Sequence, residues 1–284
     1  ICGVGLLAPN AVAEGFCRAK LAERIDAISA RPALTRAHIG LLLETQGQTP
    51  TERQVILKRN TDKWFVPAST LKLLTTAAAL EQLGPDFQIQ TSVYLHKEDS
   101  QTTLYLMGRG DPTFTTAQLQ DLTQQISQQG IQQIDQLWGY DNYFSGRAVH
   151  PNWEWEDVLA GYGASANSLI LNENALGVTL HPTAVGQPLR IEWVDPTQTS
   201  HWQIDNTSLT VAAGEQLTAD VGRNWGQPVL NVFGNLSVDA GPDPFAIAVT
   251  QPGAHFMQQF EHSLAQAGIT VGLTGLTSPV AHHQ

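Results

Sequence analysis

The chain has 284 residues, of which 42% are apolar, so it is long enough for one large or two ordinary domains with a substantial core. Charged residues make up only 14%, against about 25% in ordinary proteins, but the apolar content excludes a disordered chain. The 15 basic and 26 acidic side chains give a net charge of −11 without a basic stripe, which disfavours nucleic acid as a partner. Two cysteines exclude a disulfide scaffold.

The first 13 residues resemble the end of a secretory signal. An apolar run leads to Ala11-Val12-Ala13, a small-residue cleavage pattern, and the run is too short for a membrane span of about 20 residues. The charged leader that precedes such a run is absent, and a buried N-terminal strand is the alternative. We therefore expect a periplasmic or otherwise extracytoplasmic protein without a stable membrane span, and a sequence that is cut at its front.

The apolar pattern predicts the first elements in chain order. Periodic apolar residues predict an amphipathic helix over 18–30, and two short apolar runs at 38–44 and 54–58 predict an antiparallel hairpin. Residues 69–80 are apolar almost all round, which predicts a buried helix that ends at Gly84.

From residue 87 onward the pattern changes to short strands. Two runs at 88–95 and 102–107 predict paired strands, and a helix with a Gln-rich polar face follows them. Residues 134–250 predict further short strands separated by Gly, Pro and Asn turns, and residues 254–268 predict a last helix. These elements together predict an α+β fold.

Ser69 and Lys72 are the candidate catalytic residues. Residues three apart share one face of a helix, so the Ser69 hydroxyl and the Lys72 amine can meet. A serine needs a base to become a nucleophile, and both burial and the positive end of the helix dipole disfavour the charged lysine. The same turn offers backbone N–H groups to an oxyanion. By spacing alone the pattern is weak, and a Ser N-cap beside a surface lysine is the alternative.

The segment around this pair resembles the active-site helix of the penicillin-binding proteins. Residues 66–80 are most similar to the D-alanyl-D-alanine carboxypeptidases of the class C low-molecular-mass group, peptidase family S13. The similarity continues through essentially the whole chain after residue 13. The further segments that carry it, in order, are Gly108–Pro112, Tyr140–Phe144, Trp153–Asp157, Tyr162–Ala164 and Leu171–Asn174.

The resemblance implies a β-lactamase/transpeptidase-like domain that is interrupted by a strand-rich insertion. The expected parts are a partial signal peptide over 1–13, the first part of the transpeptidase-like domain over 14–87, the insertion over 88–250, and an incomplete return toward that domain over 251–284. It also implies a serine-type carboxypeptidase or endopeptidase that acts on peptidoglycan stem peptides, binds β-lactam antibiotics and needs no cofactor.

The resemblance also assigns roles to three residues. Ser69 is the nucleophile that attacks the carbonyl of the penultimate D-alanine, and its backbone N–H donates to the oxyanion. Lys72 is the general base for acylation. Asp141 matches an acidic position that helps line a pocket for the amino group of the third stem-peptide residue, and a structural turn aspartate is the equal alternative.

Two motifs of this family, an S-x-N triad and a K-T-G strand, are not found where the family has them. Lys97 is the last lysine and Glu98 follows it, and no His-Thr-Gly substitute occurs. Ser165-Ala166-Asn167 fits S-x-N and Tyr140-Asp141-Asn142 fits Y-x-N, but both lie in the expected insertion, so we expect Ser165 and Asn167 to be structural. Glu173 is expected to order its loop. The chain is therefore expected to stop before the domain closes, which leaves the Ser69 helix and the hairpin partly uncovered.

Two other functions stay open from the sequence. A non-catalytic cell-wall-binding homologue would have kept the fold and lost two motifs, whereas a serine β-lactamase would turn penicillin over. The sequence does not favour a metal site, because the nine histidines are scattered and neither H-x-x-x-H nor C-x-x-C occurs.

We predict that residues 1–284 alone release little D-alanine, because the expected S-x-N and K-T-G elements lie outside them. A D-alanine assay on a peptide that ends in D-Ala-D-Ala measures this directly. Turnover comparable to that of a complete enzyme would contradict the expectation that the chain is a piece of a longer one.

Overall fold

The structure is a computed structural model that describes residues 10–198, 202–224 and 227–277, with residues 10–19 described by their backbone only. It is a mixed α+β structure, which confirms the predicted fold class. The chain divides into two compact units, Ile1–Phe87 (unit 1) and Gln88–Gln284 (unit 2). Most of the expected signal lies outside the described residues, and residues 10–13 belong to the first helix.

Unit 1 contains two helices and one hairpin in its described part. Its elements are α1 (Asn10–Ser29), β1 (Leu41–Glu44), β2 (Val55–Arg59) and α2 (Leu71–Leu83). The strands β1 and β2 pair antiparallel, as the two apolar runs predict, and Asp26 of α1 forms an ion pair with Arg59 of β2. Gly84 ends α2 with a φ of +79°, a left-handed conformation that glycine adopts at low cost.

The helix α2 forms where it was predicted, but the prediction that it is buried was wrong for the described chain. None of its residues is buried, and Leu73 and Leu74 keep 71% and 70% of their surface exposed. Helix formation depends on local hydrogen bonds, whereas burial needs a packing partner, which no described element of unit 1 provides. The exposure agrees with the expectation that this helix is partly uncovered.

Unit 2 contains two further helices and twelve strands in its described part. In chain order they are β3 (Ser92–Glu98), β4 (Gln101–Met107), α3 (Thr116–Gln128), β5 (Gln133–Tyr140), β6 (Ala175–His181), β7 (Arg190–Trp193), β8 (Gln203–Asn206), β9 (Leu209–Val211), β10 (Asp220–Arg223), β11 (Val229–Phe233), β12 (Asn235–Ser237), β13 (Asp243–Ala248), α4 (Pro252–Gln266) and β14 (Thr270–Thr277).

The largest sheet of unit 2 has the strand order β14-β5-β4-β3. The predicted pair β3 and β4 is an antiparallel hairpin, whereas β4, β5 and β14 run parallel and are connected through helices. Both helices contribute to the core beside this sheet, and the hydroxyl groups of Thr123 in α3 and Ser263 in α4 lie 2.8 Å apart. The buried apolar residues that these strands and helices contribute to this core are Leu104, Leu106, Leu119, Ile126, Ile134, Leu137, Phe256, Met257, Phe260 and Leu264.

The remaining strands form three small sheets around a second core. Their orders are β13-β6-β7, β10-β11-β8 and β12-β9. Alternate residues of β6 are buried, as the period of two in a strand requires, and Leu176, Val178 and Leu180 point into this core.

Residues 252–277 lie in unit 2 together with residues 88–250. The strand β14 pairs with β5 along seven residue pairs, and α4 contributes Phe256, Phe260 and Leu264 to the first core, as their helical spacing predicts. The expected return of the chain toward a transpeptidase-like domain after residue 251 stays a prediction. Among the described helices, none combines the length and the apolarity that crossing a bilayer requires.

Truncation of Phe260 tests the core beside the four-stranded sheet. Phe260 is fully buried, so Phe260→Ala is expected to lower the free energy of unfolding by about 3–5 kcal/mol. Phe233→Ala is the matched control, since Phe233 keeps 44% of its surface exposed and should lose about 1 kcal/mol or less. Urea unfolding of both variants measures the difference, and equal losses would contradict this description of the core.

Candidate functional site

The side chains of Ser69 and Lys72 meet in unit 1. A short 3-10 turn, Ala68–Thr70, leads directly into α2, and Lys72 Nζ donates a hydrogen bond to Ser69 Oγ at 2.9 Å. The meeting of these two side chains confirms what their spacing predicts. A distance of 2.9 Å is short enough for a proton to pass between hydroxyl and amine. Both side chains are exposed in the described chain, so the expected burial of Lys72 is not found there.

The backbone before Ser69 adopts a conformation that the sequence does not signal. Ala68 has a φ of +44°, in the left-handed region that residues with a Cβ atom avoid. The following turn is held by Thr70, whose backbone N–H donates to the Pro67 carbonyl at 3.0 Å and whose hydroxyl donates to the same oxygen. Strained backbone of this kind recurs at functional sites, where the surrounding structure holds it. This strained residue directly precedes the candidate nucleophile, Ser69.

Asp141 lies in unit 2, directly after β5, and its side chain is almost fully buried. Its Oδ1 accepts hydrogen bonds from the backbone N–H groups of Ser168 at 2.6 Å and Leu169 at 3.0 Å. Its own N–H donates to the carbonyl of Thr277 at the end of β14, at 3.0 Å. A buried carboxylate costs free energy unless it is hydrogen-bonded, and these donors meet that requirement.

The first turn of α4 also lies against the Asp141 carboxylate. A Cβ atom at Gly253 would overlap with Asp141 Oδ2, so glycine at this position allows the close approach. The amino end of a helix favours a negative charge because of the orientation of its peptide dipoles. Asp141 therefore has a structural role in unit 2, and the binding of a substrate amine by it stays a prediction.

The Ser165-Ala166-Asn167 segment is part of the same hydrogen-bond network. Asn167 Nδ2 donates to both oxygens of Asp141 at 3.2 Å and to the Leu169 carbonyl at 2.6 Å. Asn167 Oδ1 accepts from Asn174 Nδ2 at 2.5 Å, and the Ser165 carbonyl accepts from the same amide at 3.4 Å. These contacts support the interpretation that Ser165 and Asn167 are structural rather than a catalytic triad.

Ser168 and Asn174 complete this network, and the sequence analysis did not identify them. The Ser168 hydroxyl accepts from the Tyr143 N–H at 2.9 Å, and its carbonyl accepts from the Gly110 N–H at 2.8 Å. Ser168 and Asn174 are each only 2% exposed. Asn174 ends a segment that resembles the family, which is a signal that could have drawn attention to it, whereas Ser168 lies outside those segments and has no such signal. The segments around residues 110, 143, 168 and 174 thus meet at one place in unit 2.

Glu173 lies in a left-handed turn of three residues. Asn172, Glu173 and Asn174 have φ values of 49°, 59° and 55°, and the side chain of Glu173 is exposed. This position fits its expected role in a loop rather than that of a catalytic acid. In the part of the chain that the structure describes, no group of three or more His, Cys, Asp or Glu side chains is arranged to hold a metal ion.

Comparisons with known proteins give a consistent result. A model of the D-Ala-D-Ala carboxypeptidase 3 (S13) family matches residues 21–279. The D-alanyl-D-alanine carboxypeptidase of Actinomadura sp. (strain R39) is 30% identical over 270 residues, which are 91% of this chain and 49% of that protein. The penicillin-sensitive carboxypeptidase A of Dictyostelium discoideum is 23% identical over 233 residues, which are 75% of this chain and 45% of that protein.

Among solved structures, the chain is similar in fold to penicillin binding protein 4 (dacB) from Haemophilus influenzae. The TM-score is 0.66 with 23% sequence identity, over 81% of this chain and 52% of that chain. The chain thus spans about half the length of these relatives.

Replacement of Asp141 tests its structural role in unit 2. Asp141→Ala leaves the buried N–H groups of Ser168 and Leu169 without their acceptor, so we expect a loss of about 2–4 kcal/mol in the free energy of unfolding. Asp205→Ala is the control, because Asp205 is exposed and its replacement should change stability by about 0.5 kcal/mol or less. Denaturant unfolding measures both, and an Asp141→Ala variant as stable as the parent would exclude this role.

Proposed function

The chain belongs to the D-Ala-D-Ala carboxypeptidase 3 (S13) family, and from this premise we propose that its protein is a serine-type D-alanyl-D-alanine carboxypeptidase. Its substrates are peptidoglycan stem peptides, and β-lactam antibiotics acylate it at the same serine. The observation that carries the proposal is the 2.9 Å contact between Lys72 Nζ and Ser69 Oγ at the start of α2. A serine within reach of an amine is the arrangement that nucleophilic acyl transfer needs.

In the first half of the reaction, Ser69 Oγ attacks the carbonyl carbon of the penultimate D-alanine. Lys72, in its neutral form, takes the hydroxyl proton as the new C–O bond forms. The carbonyl oxygen becomes an oxyanion, to which the backbone N–H of Ser69 in the first helical turn donates. The strained backbone at Ala68 would contribute to this step by holding the first helical turn in one conformation before the substrate arrives.

In the second half, the tetrahedral intermediate collapses and the bond to the last residue breaks. The amine of the leaving D-alanine takes a proton from the lysine, and the shortened peptide stays attached to Ser69 as an ester. Water then attacks this ester, its proton passes to the base, and Ser69 Oγ is released with its proton restored. A β-lactam would form the same ester through ring opening, because its amide carbonyl meets the same nucleophile.

Asp141 is proposed to bind the amino group of the third residue of the stem peptide. The support for this role is the resemblance of the Tyr140–Phe144 segment and the asymmetry of the carboxylate. Its Oδ1 accepts two backbone hydrogen bonds, whereas within the part of the chain that the structure describes Oδ2 accepts from the Asn167 amide alone. A substrate of peptidoglycan implies a periplasmic or otherwise extracytoplasmic location, which we propose for this protein.

Labelling with a fluorescent penicillin tests the proposed nucleophile in the full-length product of the gene that encodes this chain. Ser69→Ala is expected to abolish the covalent adduct, because no other group replaces the attacking oxygen. Lys72→Ala is expected to slow its formation by about 100-fold or more, since general base catalysis contributes about 10²–10⁴-fold.

Ser165→Ala is the matched control and should label at the parent rate, because Ser165 contributes its backbone carbonyl to the unit 2 network. Adduct formation that persists in Ser69→Ala would contradict the proposal. A parent that forms no adduct and releases no D-alanine would favour the non-catalytic wall-binding function, and rapid penicillin hydrolysis would favour a β-lactamase.

A further inference from the structure

From the contacts around Asp141, we infer that Asn167 and Asn174 are positioning residues that hold the Asp141 carboxylate ready for the ammonium group of a substrate. The inference rests on the proposed function, in which Asp141 binds that group, and extends it to two residues that touch no reacting atom. It also gives a role to the Asn167 of the S-x-N match and to the Leu171–Asn174 segment.

The two oxygens of Asp141 have different surroundings. Oδ1 is fully occupied, because it accepts from two consecutive backbone N–H groups and from Asn167 Nδ2. Among the described contacts, Oδ2 accepts one hydrogen bond only, at 3.2 Å from the same Asn167 amide. On one side, the first turn of α4 packs directly against Oδ2, where a Cβ atom at Gly253 would overlap with this oxygen. Oδ2 therefore keeps acceptor capacity, as a carboxylate oxygen that receives an ammonium must.

The Asn167 amide fixes the rotation of this carboxylate. Its Nδ2 lies 3.2 Å from both Oδ1 and Oδ2, so the amide and the carboxylate face each other. The third contact of Nδ2, with the Leu169 carbonyl at 2.6 Å, ties the amide to the same stretch of backbone that donates to Oδ1. Rotation of the Asp141 carboxylate would break contacts on both oxygens at once. A fixed carboxylate loses less entropy when it binds an ammonium.

Asn174 in turn sets which way the Asn167 amide points. Asn174 Nδ2 donates to Asn167 Oδ1 at 2.5 Å, so the oxygen end of the Asn167 amide faces Asn174 and its nitrogen end faces Asp141. Asn174 Oδ1 accepts from the Leu171 N–H at 3.3 Å, which fixes the orientation of Asn174 as well. These hydrogen bonds therefore form a chain in which each group donates to the next. The Leu171 N–H donates to Asn174, Asn174 donates to Asn167, and Asn167 donates to the Asp141 carboxylate.

The left-handed turn at 172–174 is the strained element that presents Asn174. Left-handed backbone costs an ordinary residue about 1–2 kcal/mol and costs asparagine less, because its side chain bonds locally. The same turn presents Asn172 in another direction, where its amide bonds the backbone N–H and the hydroxyl of Thr116 at 3.0 and 2.8 Å. Asn172 and Asn174 thus share residue type and backbone conformation, and both side chains form hydrogen bonds, but only the Asn174 amide contacts Asn167 and, through it, Asp141.

The comparison of Asn172 with Asn174 allows a matched experiment in the full-length product of the gene. Each variant is made together with Ser69→Ala, so that peptides bind without turnover. The probes are Nα-acetyl-L-Lys-D-Ala-D-Ala and its twin with an acetylated side-chain amine, and calorimetric titration measures the two dissociation constants. We define the amine preference as the ratio of these two dissociation constants. A variant that weakens the binding of both peptides equally, through a general structural effect, leaves this ratio unchanged.

With Ser69→Ala alone, we expect the free amine to bind about tenfold more tightly, as an added charge-assisted hydrogen bond provides. Asn167→Ala is expected to reduce this preference to about twofold or less, and Asn174→Ala to reduce it in part. Asn172→Ala should keep the full preference, although it removes an asparagine amide with two hydrogen bonds from the same left-handed turn. Thermal unfolding of all variants confirms that the compared proteins are folded.

Three results would overturn the inference. They are no amine preference or no binding with Ser69→Ala alone, a full preference in Asn167→Ala, and equal loss in Asn172→Ala and Asn174→Ala. The proposed function is judged separately by the penicillin adduct and by D-alanine release in the protein that keeps Ser69. A protein with a Ser69 adduct and no amine preference would retain the proposed reaction and lose only the positioning role.

Discussion

The buried carboxylate of Asp141 is the constraint on which the arrangement of unit 2 around it depends. A buried charge is tolerated only where donors surround it, and here the donors come from segments that are distant in the sequence. Two backbone N–H groups at 168 and 169, the amide of Asn167 and the first turn of α4 all meet this one group. Asp141 therefore connects three parts of unit 2: it follows β5, its backbone N–H donates to the end of β14, and its carboxylate accepts from the loop that precedes β6.

The Ser69 and Asp141 sites are built in different ways. The Ser69–Lys72 pair needs only four consecutive residues at the start of a helix, with one strained residue before them. Asp141 needs a parallel sheet, a helix terminus and a left-handed turn to be in place at once. A local site of the first kind can be recognised from residue spacing, whereas a site of the second kind exists only after long-range contacts have formed.

The exposed apolar surface of α2 shows a similar separation between local and long-range effects. Leucine and alanine favour a helix through their own conformational preferences, so α2 forms from residue 71 to 83 as its sequence requires. Burial of the same leucines depends on what packs against them, and the described part of unit 1 leaves them exposed. Helix α4 has an apolar face as well, and there the core beside the four-stranded sheet covers Phe256, Phe260 and Leu264.

By itself, the sequence determined the α+β class, the hairpins β1–β2 and β3–β4, the four helices and the meeting of Ser69 with Lys72. These features follow from periodicity and spacing, which act over a few residues. It also carried enough family-like segments to indicate an acyl-transfer enzyme before any contact was known. The roles of the residues within those segments were less accessible, and Asp141 could be read as a binding residue or as a turn residue.

Only the tertiary structure decided how Asp141, Asn167 and Asn174 are connected, and that α2 lacks a cover in the described chain. Which end of an amide faces a carboxylate depends on partners 26 to 28 residues away, as with Asn167 and Asp141, and no spacing rule contains that information. The left-handed backbone at Ala68 and Glu173 was equally hidden, because neither residue type favours it. Strain of this kind is held in place by surrounding contacts, so it becomes visible only when those contacts have formed.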